Sequence, residues 1–318
     1  MIQTILDNAP LLSRGTDHHD RLDDADLRVV VSGIRGKSST TRRLHDVLVD
    51  RGHDTYAKVT GDRPLSIRNG DVREIERDDR VTLYENVAEV ADHAGGADAM
   101  VLENQAITDY TTRVFNECFA DPDVVFLVNV RQDHRDTLGS DRRKIARAFA
   151  RSVTPGTHVV NGEQDPELRA YLDAELSRRG VPVTHVDVPD DEAHIPGAEC
   201  VHGLDAVLDA LGLDPLSEER RQSYLDEMRP AWTNLEGGRV FDAASVNDVE
   251  STEVIREYLA DDAPVVQPLV YLREDRRART ASFVEYLGRL HDEGAVEQVR
   301  AVGHDADLFA EKTTVPVV

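Results

Sequence analysis

The sequence predicts an α/β protein: a P-loop parallel sheet covered by helices, followed by a smaller Rossmann-like α/β domain. Three observations predict it. Short β-branched runs alternate with amphipathic stretches, the pattern of a parallel sheet buried on both faces. A glycine-rich turn, Gly33-Ile34-Arg35-Gly36-Lys37-Ser38, follows the first run at once and opens the first long helix. Gly237-Gly238 then breaks the pattern, and a second, shorter alternation begins.

The elements follow in order. Residues 1–26 are polar and acidic and read as a leader or short helix. Leu27 to Val31 is an apolar run suited to a buried strand. Ser38 to Arg51 carries Leu44, Val47 and Leu48 on one helical face, and Gly52 stops it. Strands are expected at Thr55–Val59, Ala99–Glu103 and Val124–Val130, the last being the most apolar run in the chain. A helix is expected over Asp141–Ser152, then a strand at His158–Val160 ending at Asn161-Gly162. Residues 163–225 continue the alternation with weaker signals. After Gly238, strands are expected at Arg239–Asp242, Val265–Tyr271 and Val299–Gly303. The division is therefore a leader (1–26), a larger α/β domain that carries the glycine-rich turn (27–228) and a C-terminal α/β domain (229–318).

Composition narrows the function. The 318 residues are enough for two domains, and 40% of them are hydrophobic, which excludes wholesale disorder. A net charge of −24 repels phosphate backbones, so nucleic acid is not an expected partner. Only four lysines occur (Lys37, Lys58, Lys144 and Lys312), against abundant Asp and Glu. That balance suits a halophilic surface, where acidic side chains hold water and repulsion is screened. It also draws attention to Lys37 and Lys58. Cys118 and Cys200 lack metal-type spacing and are expected as buried or half-buried thiols in a reducing cytoplasm. No run reaches the ~20 apolar residues of a membrane helix, so the expected location is cytoplasmic, with any membrane contact made through a partner.

The glycine turn has the context a phosphate loop needs. Gly33 and Gly36 let backbone N–H groups approach an anion, and the following helix presents its positive end. Lys37 can reach the outer phosphates, with Arg35 and Ser39 beside it, and the Ser38 hydroxyl can bind Mg²⁺. The spacing is two residues shorter than the commonest phosphate loop. Glu103 ends a strand on the edge where a parallel sheet places its ligands, and so is a metal candidate. Asp133 and His134 follow the most apolar strand and should reach the same edge, although a lone histidine is usually structural. Thr60, after another strand, is a metal or substrate contact or simply a turn residue. Ser245 to Thr252 and Arg273 to Arg276 are polar loops after strands, open also to reading as capped helix starts.

Assembled, these residues resemble the Mur ligase superfamily, and within it the poly-γ-glutamate synthetase (PgsB/CapB) branch. The likeness is carried by Val30 to Ser38, Lys58-Val59-Thr60-Gly61, Glu103 with Ala106, and Asn129-Val130-x-x-Asp133-His134-x-Asp136-x-Leu138-Gly139. Ile145-Ala146, Asn247-Asp248-x-x-Ser251-Thr252 and Arg273-x-Asp275-Arg276 extend it. The resemblance implies an ATP-dependent amide ligase that activates a carboxylate as an acyl phosphate for attack by an amine. Glutamate or a γ-glutamyl polymer would be the substrate, and ATP and Mg²⁺ the cofactors. Lys37, Glu103 and His134 would be catalytic. Gly33, Arg35, Gly36, Lys37, Ser38, Ser39, Asn247 and Arg273 would bind nucleotide. Ser38, Thr60, Glu103 and His134 would hold metal. Many superfamily members carry a carbamylated lysine in the helix after the Asp-His motif; Phe149 occupies that position here, as suits the PgsB-like branch. Measured against that branch, the expectation is a shorter C-terminal domain and a start without a membrane-spanning segment. Two other readings stay open: a Mur-type ligase with another substrate, and a nucleotide-binding regulatory subunit of a membrane-associated synthase. A homo-oligomer also stays open.

Overall fold

The structure, a computed structural model, describes residues 15–61, 63–77, 81–105, 108–132, 137–244, 246, 248–260, 264–274, 277–304 and 306–318. It divides into two compact units, residues 1–193 with 197–225 and residues 194–196 with 226–318. The division falls three residues before the one expected from the sequence.

The first unit is built on one eight-stranded sheet. Its strands are β1 (Leu27–Ser32), β2 (Thr55–Val59), β3 (Leu65–Arg68), β4 (Asp71–Glu74), β5 (Ala99–Glu103), β6 (Val124–Leu127), β7 (His158–Asn161) and β8 (Val183–His185). Their spatial order is β4-β3-β2-β5-β1-β6-β7-β8. Six strands are parallel, and β3 and β4 close one edge as an antiparallel hairpin. The hairpin turns on Asn69 (φ 49°) and Gly70 (φ 89°), a two-residue turn that needs positive φ at both positions. This Asn-Gly signal is plain in the sequence, yet β3 and β4 were not among the expected strands. β4 is fully exposed and carries Asp71, Arg73 and Glu74, charges that discourage a further strand from pairing with the edge.

The helices follow from the same alternation. Residues 15–23 form α1, so the end of the expected leader is an ordered helix that buries Leu22 in the core. α2 (Lys37–Asp50), α3 (Glu85–His93) and α4 (Asp109–Val114) follow, the last continued by a π-helical turn to Ala120. Then come α5 (Arg142–Ser152), α6 (Pro166–Ser177), α7 (Ala198–Ala210) and α8 (Glu218–Met228). Successive strand residues face opposite sides. Val30, Tyr56, Met100, Leu102, Val125, Leu127 and Val159 pack with Val87, Val90, Phe115, Ile145, Phe149 and Leu172 in one core. Their neighbours Val29, Val31, Val101, Val124, Phe126 and Val160 are equally buried, as are Leu44, Leu48, Val201 and Leu204 of α2 and α7. Burial on both faces explains the continuous apolar runs.

β6 stops at Leu127, three residues short of the expected strand: the Val128 N–H still donates to the Ser32 carbonyl, but Asn129 accepts from Ile34 in the glycine turn and the Val130 N–H donates to the Glu163 carboxylate. Cys200 is buried and its thiol is pushed up to about 12 by that burial; Cys118 is exposed, which corrects the expectation of two covered thiols.

The second unit contains β9 (Thr233–Leu235), β10 (Gly238–Val240), α9 (Val249–Ala260), β11 (Leu269–Leu272), α10 (Arg277–Asp292), β12 (Arg300–Gly303) and α11 (Ala306–Lys312). β11 and β12 are parallel, as the sequence leads one to expect. The strand expected at Arg239–Asp242 is instead β10, paired antiparallel with β9 in a separate exposed hairpin. Leu272, Tyr286, Leu287, Leu290, Val299 and Phe309 form this unit's core. Among the described residues, no helix is long and apolar enough to cross a membrane.

Candidate active site

The order of strands places the site. The chain runs from β1 to one side, inserts β5 beside it, and then crosses to β6 on its other flank. The crossovers therefore diverge around β1, and the crevice this opens lies at the carboxyl ends of the strands. The residues leaving β2, β5, β1, β6 and β7 line up along that edge in this order.

β1 leads directly into the glycine turn. Gly33 (φ 116°) lies against the chain leaving β6, and a Cβ there would stand 3.0 Å from the carbonyl oxygen of Asn129. Gly36 (φ 84°) starts α2, and a Cβ there would meet the Cys200 sulfur at 2.5 Å. Both glycines answer to close approach as well as to backbone conformation. No side chain caps α2 and no acidic residue of the helix itself sits in its first turn, which suits the approach of an anion to its N-terminal N–H groups. The Lys37 ammonium lies over the turn, donating to the carbonyls of Gly33 (3.0 Å) and Ile34 (3.4 Å). Ser39 Oγ donates to the Gly36 carbonyl.

On the β5 side, the Glu103 carboxylate is buried and faces the first turn of α2. Ser38 Oγ donates to Oε2 at 2.9 Å and lies 3.1 Å from Oε1. The Thr60 N–H donates to the same Oε2 at 2.8 Å. Thus Ser38, Thr60 and Glu103, which the sequence separates widely, converge. Thr60 reaches the carboxylate through its main chain. A hydroxyl and a carboxylate beside a glycine turn are the hard oxygen donors that suit Mg²⁺. No group of three or more His, Cys, Asp or Glu able to hold a metal occurs among the described residues. One hydroxyl and one carboxylate would suit a divalent metal that shares its coordination with phosphates.

A second layer stands behind Thr60. Its carbonyl accepts from Arg77 (3.2 Å), whose guanidinium also grips Glu85 at 2.7 and 2.9 Å. Glu85 pairs at 2.7 Å with Lys58 of β2, a side chain 1% exposed. Lys58 also donates to Asn86 (2.8 Å) and Gln105 (2.9 Å). Burial pulls the Lys58 ammonium below its ordinary range, with Glu85 opposing. Burial pushes Glu85 up, but Arg77 and Lys58 together outweigh it and hold the carboxyl low.

On the β6 side, the Asn129 amide holds the turn in place. Its oxygen accepts the Arg35 N–H at 3.1 Å, and its nitrogen donates to the Arg35 carbonyl at 3.1 Å and to Glu199 at 3.0 Å. Arg131 pairs with the same Glu199 at 3.3 Å. Glu163, after β7, accepts the Val130 N–H at 2.8 Å, while Arg142 of α5 donates to the Val130 carbonyl at 2.9 Å and to Glu163 at 3.1 Å. Gly162 packs where any side chain would strike the Val128 carbonyl. The chain heading for Asp133 and His134 is thereby fixed up to Val130.

Of the sequence-derived candidates, Gly33, Arg35, Gly36, Lys37, Ser38, Ser39, Thr60 and Glu103 lie together. Asp133 to Asp136, His134 among them, and Asn247 lie outside the described residues. Arg273 leaves β11 in the second unit and is exposed. Phe149 is in the core, and Lys144 pairs on the surface with Ser140 and Asp141. Sequence reasoning did not single out Arg77, Glu85, Glu163, Arg142 or Glu199. A carboxylate directly after Asn161-Gly162 at a strand end was the one usable signal, for Glu163.

The chain is similar to known proteins in sequence and in fold. Residues 231–316 match the family described as the poly-gamma-glutamate synthase CapB C-terminal domain. The chain is 25% identical over 290 residues to the PGA synthase CapB of Bacillus subtilis (strain 168), covering 84% of this chain and 72% of that protein. It is 29% identical over 168 residues to the capsule biosynthesis protein CapB of Bacillus anthracis, covering 49% and 33%. In fold it is similar to E. coli FolC in complex with ADP (TM-score 0.68, 19% identity, 96% of this chain and 84% of that one). The Yersinia pestis folylpolyglutamate synthase/dihydrofolate synthase with AMPPNP and Mn gives a TM-score of 0.67 at 19% identity, with 96% and 84% covered. The chain is thus similar in sequence to CapB proteins and shares its fold with the folylpolyglutamate synthases.

Proposed function

We propose that this protein is an ATP-dependent amide ligase that joins glutamate to a γ-glutamyl chain. The observation that carries the proposal is the convergence of Ser38, Glu103 and the Thr60 N–H on the glycine turn at the head of α2, in a chain whose residues 231–316 match the CapB C-terminal domain.

The reaction is a phosphoryl transfer followed by an acyl transfer. A substrate carboxylate oxygen takes the γ-phosphoryl group of ATP, giving ADP and an acyl phosphate. An amine then attacks the acyl carbon, the C–N bond forms, and phosphate leaves with the C–O bond electrons while the amine gives up a proton. Phosphoryl transfer asks a protein for position and charge neutralisation. The Gly33–Ser38 turn would hold the phosphates on its N–H groups, and Lys37 would swing from the loop carbonyls to the γ-phosphate. Ser38 and Glu103 would hold Mg²⁺, which supplies charge neutralisation when bound. Thr60 would keep the Glu103 carboxylate oriented, and His134 would position the acceptor or a second metal. Asn247 and Arg273 would contact nucleotide or acyl phosphate. A net charge of −24 makes high salt the proposed working condition. Assembly with a membrane subunit, or with further copies of the chain, belongs to the same proposal.

The test is phosphate release from ATP with Mg²⁺, with and without glutamate and γ-glutamyl acceptors. Release that depends on both ATP and a glutamyl substrate is expected. Release with other carboxylates but never with glutamyl ones would keep the ligase and change its substrate. Nucleotide binding with no turnover under any substrate would overturn catalysis and favour a regulatory subunit.

A further inference from the structure

Lys58 stands out among the groups the mechanism above leaves unused. Of 37 basic residues, 33 are arginine, so arginine is this chain's ordinary cation. Position 58 nevertheless holds a lysine, 1% exposed, in the middle layer of a buried sheet. A buried ammonium is costly unless each of its donors is met. It has three N–H donors, and it has three acceptors: Glu85 at 2.7 Å, Asn86 at 2.8 Å and Gln105 at 2.9 Å. A planar guanidinium presents its donors in a flat fork and does not match three acceptors arranged about a point.

Where those acceptors lie gives the arrangement its meaning. Lys58 is two residues before Thr60, on the strand that delivers Thr60 to the site. Gln105 is two residues after Glu103, on the chain leaving β5. Glu85 and Asn86 open α3. Lys58 therefore ties the exits of β2 and β5 to each other and to one helix. From Glu85 the contacts continue through Arg77 to the Thr60 carbonyl, and from the Thr60 N–H to Glu103 and Ser38. The chain of hydrogen bonds is unbroken from a buried ammonium to the hydroxyl in the first turn of α2.

We infer that Lys58 is a positioning residue: through Glu85 and Arg77 on one side and Gln105 on the other, it sets the orientation in which Glu103 and Ser38 face a nucleotide-bound divalent metal. The inference rests on the proposed nucleotide site. It explains why both backbone groups of Thr60 are engaged by side chains. It also assigns a function to Arg77 and Glu85, which touch neither the glycine turn nor Glu103.

The experiment is calorimetric titration of Mn²⁺ into the protein with a non-hydrolysable ATP analogue, for wild type, Lys58→Arg, Lys58→Met and Arg77→Gln, with thermal melts alongside. Arg77 is partly exposed, so Arg77→Gln guards against a Lys58 variant that fails to fold. Loss of partners behind a metal ligand typically weakens metal binding roughly 10–100-fold. That weakening is expected in folded Arg77→Gln and in any folded Lys58 variant, with the nucleotide affinity measured without metal unchanged. Wild-type Mn²⁺ affinity in folded Arg77→Gln would overturn the inference and leave the ligase reading intact. A wild-type protein that binds no Mn²⁺–nucleotide would overturn the nucleotide site itself. Glutamate-dependent phosphate release is not needed for either result.

Discussion

Ser38 Oγ lies 2.9 Å from Oε2 of Glu103, although 65 positions separate them in the chain. One residue lies in the first turn of α2 and the other ends β5. They meet because β5 pairs directly with β1, the strand that feeds α2, with Val31 opposite Glu103 in the register. In the proposed function, a hydroxyl and a carboxylate held this way would supply the protein's oxygen donors to Mg²⁺.

Replacing both partners should show that they act together. Ser38→Ala and Glu103→Gln are each expected to weaken Mn²⁺–nucleotide binding, and the double variant should lose less than the sum. The coupling expected for side chains in contact is about 0.5–3 kcal/mol. A double-mutant cycle by calorimetry measures it, and strict additivity would separate the two roles.

Lys37→Ala should reduce ATP-dependent phosphate release by roughly 10²–10³-fold, the scale for losing one charge-stabilising donor. In the structure the ammonium donates to the loop carbonyls of Gly33 and Ile34, and a thermal melt checks that the variant folds. Turnover equal to wild type in a folded variant would remove Lys37 from the reaction.

Glu163 offers a stability test on the other side of the turn. Its carboxylate accepts the N–H groups of Val130, Gln164 and Asp165 and a donor of Arg142. Glu163→Gln puts an NH₂ among these donors, at a cost of about 1–3 kcal/mol. A shift in the denaturant midpoint without a change in slope checks it.

The second unit carries a pH-dependent contribution of its own. Hydrogen bonding to Arg256 lowers the Glu253 carboxyl from its usual 4.5 to about 2, against the effect of burial and with help from Tyr286. A depressed carboxyl stabilises the fold fully above the unfolded value and loses that effect as pH falls through the folded one. The stability gap between wild type and Glu253→Gln should therefore be full above about pH 4.5 and gone near pH 2. Chemical denaturation across that range measures it, and a gap independent of pH would contradict the assignment.

Salt should stabilise the protein. Self-repulsion at a net charge of −24 weakens as the Debye length shortens. The thermal midpoint is expected to rise as KCl goes from about 0.1 to 1 M, a change that takes the Debye length from about 10 to 3 Å. A midpoint that falls over that range would argue against a salt-adapted surface.

Much of this was legible in the chain itself. β2 and β5 begin and end where the sequence leads one to expect, and the glycine turn is a strand-to-helix turn, as its residues indicate. Those features depend on neighbours in sequence: apolar periodicity, positive-φ glycines, a lysine and hydroxyl in the first helical turn. The Asn69-Gly70 hairpin was equally local and went unread because the adjoining strands are only four residues each.

The rest depended on tertiary structure because it is made of pairs far apart in the chain. Nothing near Glu103 announces that Thr60 will give it a backbone donor, and nothing near Lys58 names Glu85, Asn86 and Gln105 as its acceptors. The strand order that inserts β5 between β1 and β2 decides both. The sequence by itself determined the α/β class, the glycine turn and the chemical types available at the strand ends. Only the folded chain decided which of those groups face one another, because burial forces each polar group to find a partner wherever the sheet brings one within reach.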